Sequence, residues 1–200
     1  TADPIRPDDA PLALTPPRTD WRGVWVWAHA EPKDRNAYVF FRRAFDAPAA
    51  GTLDIAITAD SFYELRLDGR FIGHGPSRSH LQYYSFDIHR LPVTAGRHCL
   101  AIVGHHIGEI NATVMTGRPG LLADVTLASG GKTLDLSTGP AWRCLPAEAW
   151  RRDLPCTMSH FGLWEDCDLR RWPVGWDLPS FADDAWKPPV VIGTPPCPPW

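Results

Sequence analysis

The sequence contains no apolar run that approaches the roughly 20 residues of a membrane-spanning helix. It also has no basic stripe, because its 20 Lys and Arg are spread among 23 Asp and Glu, for a formal net charge of −3. Proteins that bind nucleic acid or anionic lipid concentrate positive charge on one surface. The sequence therefore predicts a chain whose partners include neither nucleic acid nor a membrane.

A paired-cysteine motif is also missing. The five cysteines form no CxxC pair, which argues against a zinc ribbon or a redox site, and an odd number cannot all be paired in disulfides. Cys99 lies in an apolar, strand-like run and is expected to be a buried thiol. One bridge among Cys144, Cys156 and Cys167 stays open and depends on whether the compartment is oxidising.

Helical periodicity is weak throughout, and no internal repeat is visible. Strand patterns take its place: Leu53, Ile55 and Ile57 alternate onto one side, and Asp68-Gly69 joins two alternating runs, which indicates a tight hairpin. The segment from Arg97 to His105 has a central apolar run that suggests burial on both faces. Short strands with closely spaced turn signals predict an all-β fold, an antiparallel β-sandwich or jelly roll.

Proline marks the expected domain limits. Residues 1–20 and 191–200 are rich in proline, which favours extended spacers over packed structure. We therefore expect an N-terminal linker over 1–20, a β-sandwich domain over 21–190 and a C-terminal linker over 191–200 that leads to a missing domain. The aromatic-rich part after Pro140 is expected to wrap the sandwich and to add late strands.

Tryptophan is abundant, with 10 residues beside 8 Phe and 4 Tyr. Core packing explains most aromatic side chains in a large domain. Aromatic rings are also surfaces on which the apolar faces of sugars stack, so the enrichment favours a carbohydrate-binding function.

The stretch from Ala59 to Ser79, ADSFYELRLDGRFIGHGPSRS, carries a family resemblance. It resembles the sugar-binding β-sandwich near the N-terminus of bacterial α-L-rhamnosidases, in which a tight turn is followed by an aromatic residue, Gly, Gly-Pro and Arg. Further matching pieces are Tyr83-Tyr84, Arg118 to Leu122 and the closing Phe181 to Trp186. The resemblance implies a galactose-binding-domain-like fold. It does not separate rhamnosidases sharply from β-galactosidase-like or β-glucuronidase-like enzymes with the same sandwich.

The resemblance implies an accessory module of a glycoside hydrolase, whose catalytic carboxylates would lie in a downstream (α/α)₆ domain. No motif here matches either carboxylate, so we expect no catalytic residue in this chain. The implied partners are a rhamnose-containing glycan or glycoside and that downstream domain. The sequence does not fix the compartment; the bacterial-looking family slightly favours the periplasm or secretion over the cytoplasm.

Two loops supply the candidate sugar-binding residues. Arg78, His80 and Tyr83 follow Gly75-Pro76, and their planar donors and acceptors suit sugar hydroxyls. Arg78 could equally anchor its own loop by bonding backbone carbonyls. Trp164 and Glu165 form the second candidate group. His106, at the end of a predicted strand, is a further candidate, because neighbours on a strand face opposite ways and one of His105-His106 should point inward.

No metal-ligand spacing is present, and we expect no cofactor. Asp60 and Asp68 admit a structural calcium ion, although the sequence has no contiguous acidic loop to supply six to eight oxygens.

Two other hypotheses stay open. The chain could be a purely structural sandwich that supports a catalytic domain, in which case it should have no concave polar cleft. It could also be an independent enzyme, which requires Glu165, Asp166 and a histidine to converge in one pocket.

Overall fold

A computed structural model describes residues 18, 20–112, 114–115, 117–158 and 162–200, with the backbone alone described at 157 and 158. The expected N-terminal linker lies almost entirely outside these residues. The described residues form two single-turn 3-10 helices, at Leu81–Tyr83 and Leu169–Arg171, and these strands: β1 Trp25–Trp27, β2 Ala37–Ala47, β3 Gly51–Ala59, β4 Phe62–Leu67, β5 Arg70–Gly75, β6 Asp87–Val93, β7 Gly96–His106, β8 Leu121–Ser129, β9 Lys132–Asp135, β10 Arg143–Pro146, β11 Cys156–Met158, β12 Gly162–Leu163 and β13 Val190–Gly193.

The strands build two large antiparallel sheets. One has the order β13-β1-β8-β3-β6, with β9 also paired to β8, and the other has the order β10-β2-β7-β4-β5; β11 and β12 form a separate small ribbon. Within the described part of the chain, no helix has the length and apolarity that a membrane span requires. The predicted antiparallel β-sandwich is confirmed.

The main core lies between the two sheets. Leu53, Ile55 and Ile57 of β3 point into it, as their alternation predicts, and Tyr63 and Leu65 of β4 meet them from the other sheet. All five side chains are at most 1% exposed. Burying a large apolar side chain contributes about 1.5–3 kcal/mol, so this interior is the main source of stability.

The predicted hairpin across Asp68-Gly69 forms between β4 and β5. Leu67 pairs with Arg70, and both turn residues have positive φ, 52° for Asp68 and 80° for Gly69. This conformation suits glycine and is tolerated by aspartate, whose short side chain can bond locally. The Asp68 carboxylate accepts the Cys99 backbone N–H at 2.8 Å and lies 2.6 Å from His98 Nδ1, which ties the turn to β7.

A second apolar layer covers the outer face of the five-stranded sheet. Residues 147–186, here called the covering segment, place Trp150, Trp176 and Trp186 against Phe40 of β2 and against Cys99, Ala101 and Val103 of β7. Strand β7 is therefore buried on both faces, as its apolar run suggests, and Cys99 is a buried thiol. None of the five cysteines forms a disulfide.

Arg42 fastens the covering segment to the sheet. Its guanidinium is almost completely buried and donates to Asp183 Oδ2 at 2.5 Å, to the Phe181 carbonyl at 3.1 Å and to the Leu178 carbonyl at 3.0 Å. Buried charges persist in proteins when they are paired and hydrogen-bonded, and these contacts meet that condition for the two terminal nitrogens, whereas Nε has no partner among the described residues.

The C-terminal tract differs from the expected linker over residues 191–200. Val190–Gly193 pairs with β1 as an edge strand, and Trp200 stacks on Trp25 with ring centroids 3.8 Å apart. Both indoles are buried. The proline-rich composition predicted a spacer, but the prolines flank the strand Val190–Gly193 and do not lie within it, and the terminal Trp200 ring anchors the segment. A further domain beyond this tract stays a prediction.

Candidate functional site

Three loops meet at one end of the sandwich, here called the loop end. They are the β3–β4 loop with Asp60 and Ser61, the β5–β6 loop over residues 76–86 and the β7–β8 loop over residues 107–120. Strand β7 ends there with His105 and His106. Because side chains alternate across a strand, these two histidines point to opposite faces of the five-stranded sheet.

His106 points into the sandwich, so one inward histidine is confirmed. Its Nδ1 lies 2.7 Å from Asp60 Oδ2, which also accepts from the Ser61 hydroxyl at 3.1 Å. Among the described residues, Asp60 Oδ1 has no hydrogen-bond partner, although the side chain is only 1% exposed. A buried carboxylate oxygen left unpaired is costly, so this atom calls for a donor.

Asp60 lines a small cavity at the loop end. The cavity, of ≈ 20 Å³, is also lined by Ser61, Arg78 and Val114, and has room for about one water molecule or one hydroxyl group. Gly117 lies against Asp60 Oδ1, and a Cβ atom there would be 2.0 Å from that oxygen. A glycine thus keeps the space around the carboxylate open.

Arg78, His80 and Tyr83 are exposed on the rim of this end. Arg78 donates to Met115 Sδ at 3.5 Å, in the β7–β8 loop, and not to a described carbonyl of its own loop. His80 caps the 3-10 helix by accepting from the Gln82 backbone N–H at 3.2 Å, and its ring lies 6.0 Å from that of Tyr83. The geometry therefore does not support the alternative of an Arg78 that anchors its own loop.

The two aspartates proposed for calcium cannot share one ion. Asp60 precedes β4 at the loop end, whereas Asp68 follows β4 at the opposite end and has both oxygens engaged by Cys99 and His98. In the described ranges, no three His, Cys, Asp or Glu side chains gather as a metal site. Calcium takes six to eight oxygens, and the single unpaired oxygen of Asp60 falls far short of that set.

A second depression, here called the outer cleft, lies on the outer face of the five-stranded sheet and has a volume of ≈ 200 Å³. Residues of the five-stranded sheet form one side, and the covering segment forms the other. The lining comprises Tyr38, Phe62, Tyr63, Glu64, His74, Val103, His105, Trp150, Glu165 and Trp172.

Stacked rings build one wall of the outer cleft. Tyr38 lies between His105, at a centroid distance of 3.8 Å, and Trp150, at 4.3 Å, and the three rings are nearly parallel. Trp172 lies 5.0 Å from Trp150, and Phe62 stacks on His74 at 5.3 Å. Stacking of this kind fixes ring positions, so the wall is pre-formed.

Polar groups of the outer cleft are oriented by hydrogen bonds. Trp150 Nε1 donates to Glu165 Oε1 at 2.8 Å, Arg66 Nε donates to Glu64 Oε1 at 2.6 Å, and His105 Nε2 lies 3.0 Å from Asn36 Oδ1.

Burial, together with the neighbouring His106 and His74, lowers the pKa of His105 to about 3. The imidazole is therefore neutral at neutral pH, and the carboxylates dominate the charge of the cleft.

The structure thus divides the sequence-predicted residues into two places. Arg78, His80, Tyr83 and His106 lie at the loop end, and Glu165 lines the outer cleft, with the exposed Trp164 beside it in sequence. Asp166 lines a different, shallow depression and lies 3.8 Å from Arg151. The independent-enzyme hypothesis requires Glu165 and Asp166 to converge in one pocket, and they do not.

The sequence analysis missed most of the outer cleft, including Tyr38, Phe62, His74 and Trp150. One signal was available: Phe62, Glu64 and Arg66 alternate with the buried residues of β4. This alternation gives that face of the strand a mixed aromatic and charged surface.

Comparison with known proteins identifies the domain. No family model and no curated protein sequence matches the chain. Among solved structures, a GH78 family rhamnosidase of Bacillus sp. GL1 matches 92% of this chain and 19% of its own, with 33% identity and a TM-score of 0.81. An α-L-rhamnosidase from Aspergillus terreus matches 87% of this chain and 21% of its own, with 18% identity and a TM-score of 0.69.

A lectin from Pleurotus ostreatus in complex with GalNAc shares the fold, with 18% identity, a TM-score of 0.61, and coverage of 91% of this chain and 46% of its own. At this identity the likeness shows the fold alone. The chain spans about a fifth of the length of the Bacillus rhamnosidase. It is a galactose-binding-like β-sandwich that matches one domain of GH78 α-L-rhamnosidases, which confirms the family resemblance of its motifs.

Proposed function

We propose that this domain is an accessory carbohydrate-binding module of an α-L-rhamnosidase-like glycoside hydrolase. It binds sugar non-covalently at the loop end, and catalysis takes place in another domain of the same polypeptide. The match to one domain of rhamnosidases and the fold shared with a lectin support this function.

The observation that carries the proposal is the unpaired, buried oxygen of Asp60 beside exposed Arg78. A sugar hydroxyl is about the size of a water molecule and can enter the small cavity at this end, where it would donate to Asp60 Oδ1. The guanidinium of Arg78 would donate to a neighbouring hydroxyl on the rim. A hydrogen bond to a charged group contributes about 1.5–3 kcal/mol, so these two contacts could orient a sugar ring.

Calorimetric titration of the chain with methyl α-L-rhamnopyranoside tests this function. We expect saturable binding, and we expect Arg78→Ala to weaken it by about tenfold or more because a charge-assisted hydrogen bond is lost. Arg70→Ala is the matched control, since Arg70 is an exposed arginine in the β4–β5 turn at the opposite end of the sandwich. Equal affinities of the two variants would overturn the assignment to the loop end.

A structural role is the second candidate function. Val174 is 85% exposed and Leu169 is 70% exposed on the covering segment, so this surface could pack on a neighbouring domain. The same titration separates the two functions, because a folded chain that binds neither rhamnosides nor galactosides would support a purely structural sandwich.

A further inference from the structure

The outer cleft offers surface of the kind that binds a sugar ring. Phe62 and Trp172 are half-buried and line it together with the stacked rings of Tyr38, His105 and Trp150. Ligand pockets combine a mainly apolar lining with a few positioned polar groups. The volume of ≈ 200 Å³ is smaller than a drug-sized pocket and suits one sugar ring.

The polar groups of the cleft select against anions. Glu64, Glu165 and the exposed His74 line it together with the neutral His105, and its described lining contains no lysine or arginine. Arg66 is close, but it is already bonded to Glu64. Carboxylate oxygens accept hydrogen bonds from sugar hydroxyls, whereas an anionic sugar would meet like charge.

The outer cleft is separate from the loop-end cavity. His105 faces the cleft, and its neighbour His106 faces Asp60 inside the sandwich. The sheet itself therefore lies between the two places, and a ligand in one does not contact the residues of the other.

We propose that the outer cleft is a second carbohydrate-binding site, independent of the loop end, which takes a neutral pyranose ring. The ring packs its apolar face on Phe62 and Trp172, and Glu165, held in place by Trp150, accepts from its hydroxyl groups.

The indole N–H of Trp150 reports on this site directly. In the ¹⁵N-labelled chain, the Glu165→Gln substitution identifies the Trp150 indole resonance, because this resonance shifts when the carboxylate that accepts from Trp150 Nε1 is replaced. Addition of methyl α-L-rhamnopyranoside or methyl β-D-glucopyranoside should shift this resonance saturably, and Glu165→Gln should weaken the binding by about tenfold. Glu148→Gln is the matched control, since Glu148 is an exposed carboxylate of the covering segment, paired with Arg171 outside the cleft.

Two comparisons decide the outcome. Arg78→Ala should leave the titration of the Trp150 resonance unchanged, and D-glucuronate at neutral pH should bind at least about tenfold more weakly than the neutral glucoside. A resonance that stays fixed with both neutral probes would overturn the second site. Loss of its response in Arg78→Ala would show that only the loop end binds, and equal binding of glucuronate would overturn the ligand class.

Discussion

Arg42 and Arg43 are neighbours on β2 with opposite surroundings. Strand alternation directs them to different faces of the sheet. Arg42 is surrounded by the covering segment and donates to two of its carbonyls and to Asp183, whereas Arg43 is half-buried and donates to the Ala141 carbonyl at 2.9 Å. We therefore expect Arg42 and Arg43 to contribute very differently to the free energy of unfolding.

We expect Arg42→Ala to lower the free energy of unfolding by about 3–5 kcal/mol, because it leaves buried acceptors and the partly buried Asp183 without a partner. Arg43→Ala should cost less than about 1 kcal/mol, since one exposed hydrogen bond is lost. Urea unfolding followed by tryptophan fluorescence measures both. Equal losses in the two variants would contradict the role assigned to Arg42.

His105 makes stability depend on pH in a predictable direction. Burial lowers its folded-state pKa from 6.5 to about 3, so the folded state holds the neutral ring. Its contribution is fully present above pH 6.5 and is lost as the pH falls towards 3, because the unfolded chain then binds a proton that the folded chain does not.

We therefore expect the wild-type chain to lose stability relative to His105→Gln by about 2–3 kcal/mol between pH 6.5 and 4.5, at a slope near 1.4 kcal/mol per pH unit. His80→Gln is the control, since His80 is exposed on the rim. Urea unfolding at the two pH values gives the difference. Parallel pH profiles for wild type and His105→Gln would refute the prediction.

Strand β13 and the residues after it close the outer face of the six-stranded sheet. Trp200 stacks on Trp25, and both belong to an apolar cluster with Trp21 and Leu122. This cluster mirrors the covering segment on the other sheet. Each sheet thus has apolar side chains on both faces, which is why eight of the ten tryptophans are buried.

Trp200→Ala should destabilise the domain by about 3 kcal/mol or more, since removal of a buried indole loses its transfer free energy and leaves a cavity. Trp164→Ala, at a tryptophan that is 60% exposed, should cost less than about 1 kcal/mol. Thermal and urea unfolding of the two variants provides the test. A Trp200→Ala variant as stable as wild type would mean that the C-terminal tract contributes no packing, as a linker would.

The architecture of the domain could be predicted from local patterns. The alternation of Leu53, Ile55 and Ile57, the Asp68-Gly69 turn and the doubly apolar β7 each express a rule that acts within a few residues, and the structure follows all three. The C-terminal strand was missed although Val190, Val191 and Ile192 form a β-branched run, because the prolines on both sides of it are typical of a spacer and its pairing with β1 depends on tertiary contacts.

The outer cleft could not be predicted from the sequence, because it too depends on tertiary contacts. Tyr38, His74, Trp150 and Glu165 come from distant parts of the chain, and nothing in their local sequence brings them together. Glu165 alone was identified, because an acidic residue beside a tryptophan in a loop suits a sugar. At the loop end Arg78 could be predicted from its Gly-Pro-x-Arg motif, but the unpaired oxygen of Asp60 is visible only once the chain has folded.

The pairing of β7 with its neighbours makes both proposed sites depend on the same strand register. His105 lies opposite Tyr38 and Phe62, and His106 lies opposite Ala37. A slip of one residue would send every side chain of β7 to the other face. His106, the partner of Asp60, would then leave the interior, and His105 would leave the stack with Tyr38. Misregistered molecules would thus lose both proposed sites at once, and ligand binding by refolded preparations would then be an assay for molecules that have reached the native strand alignment.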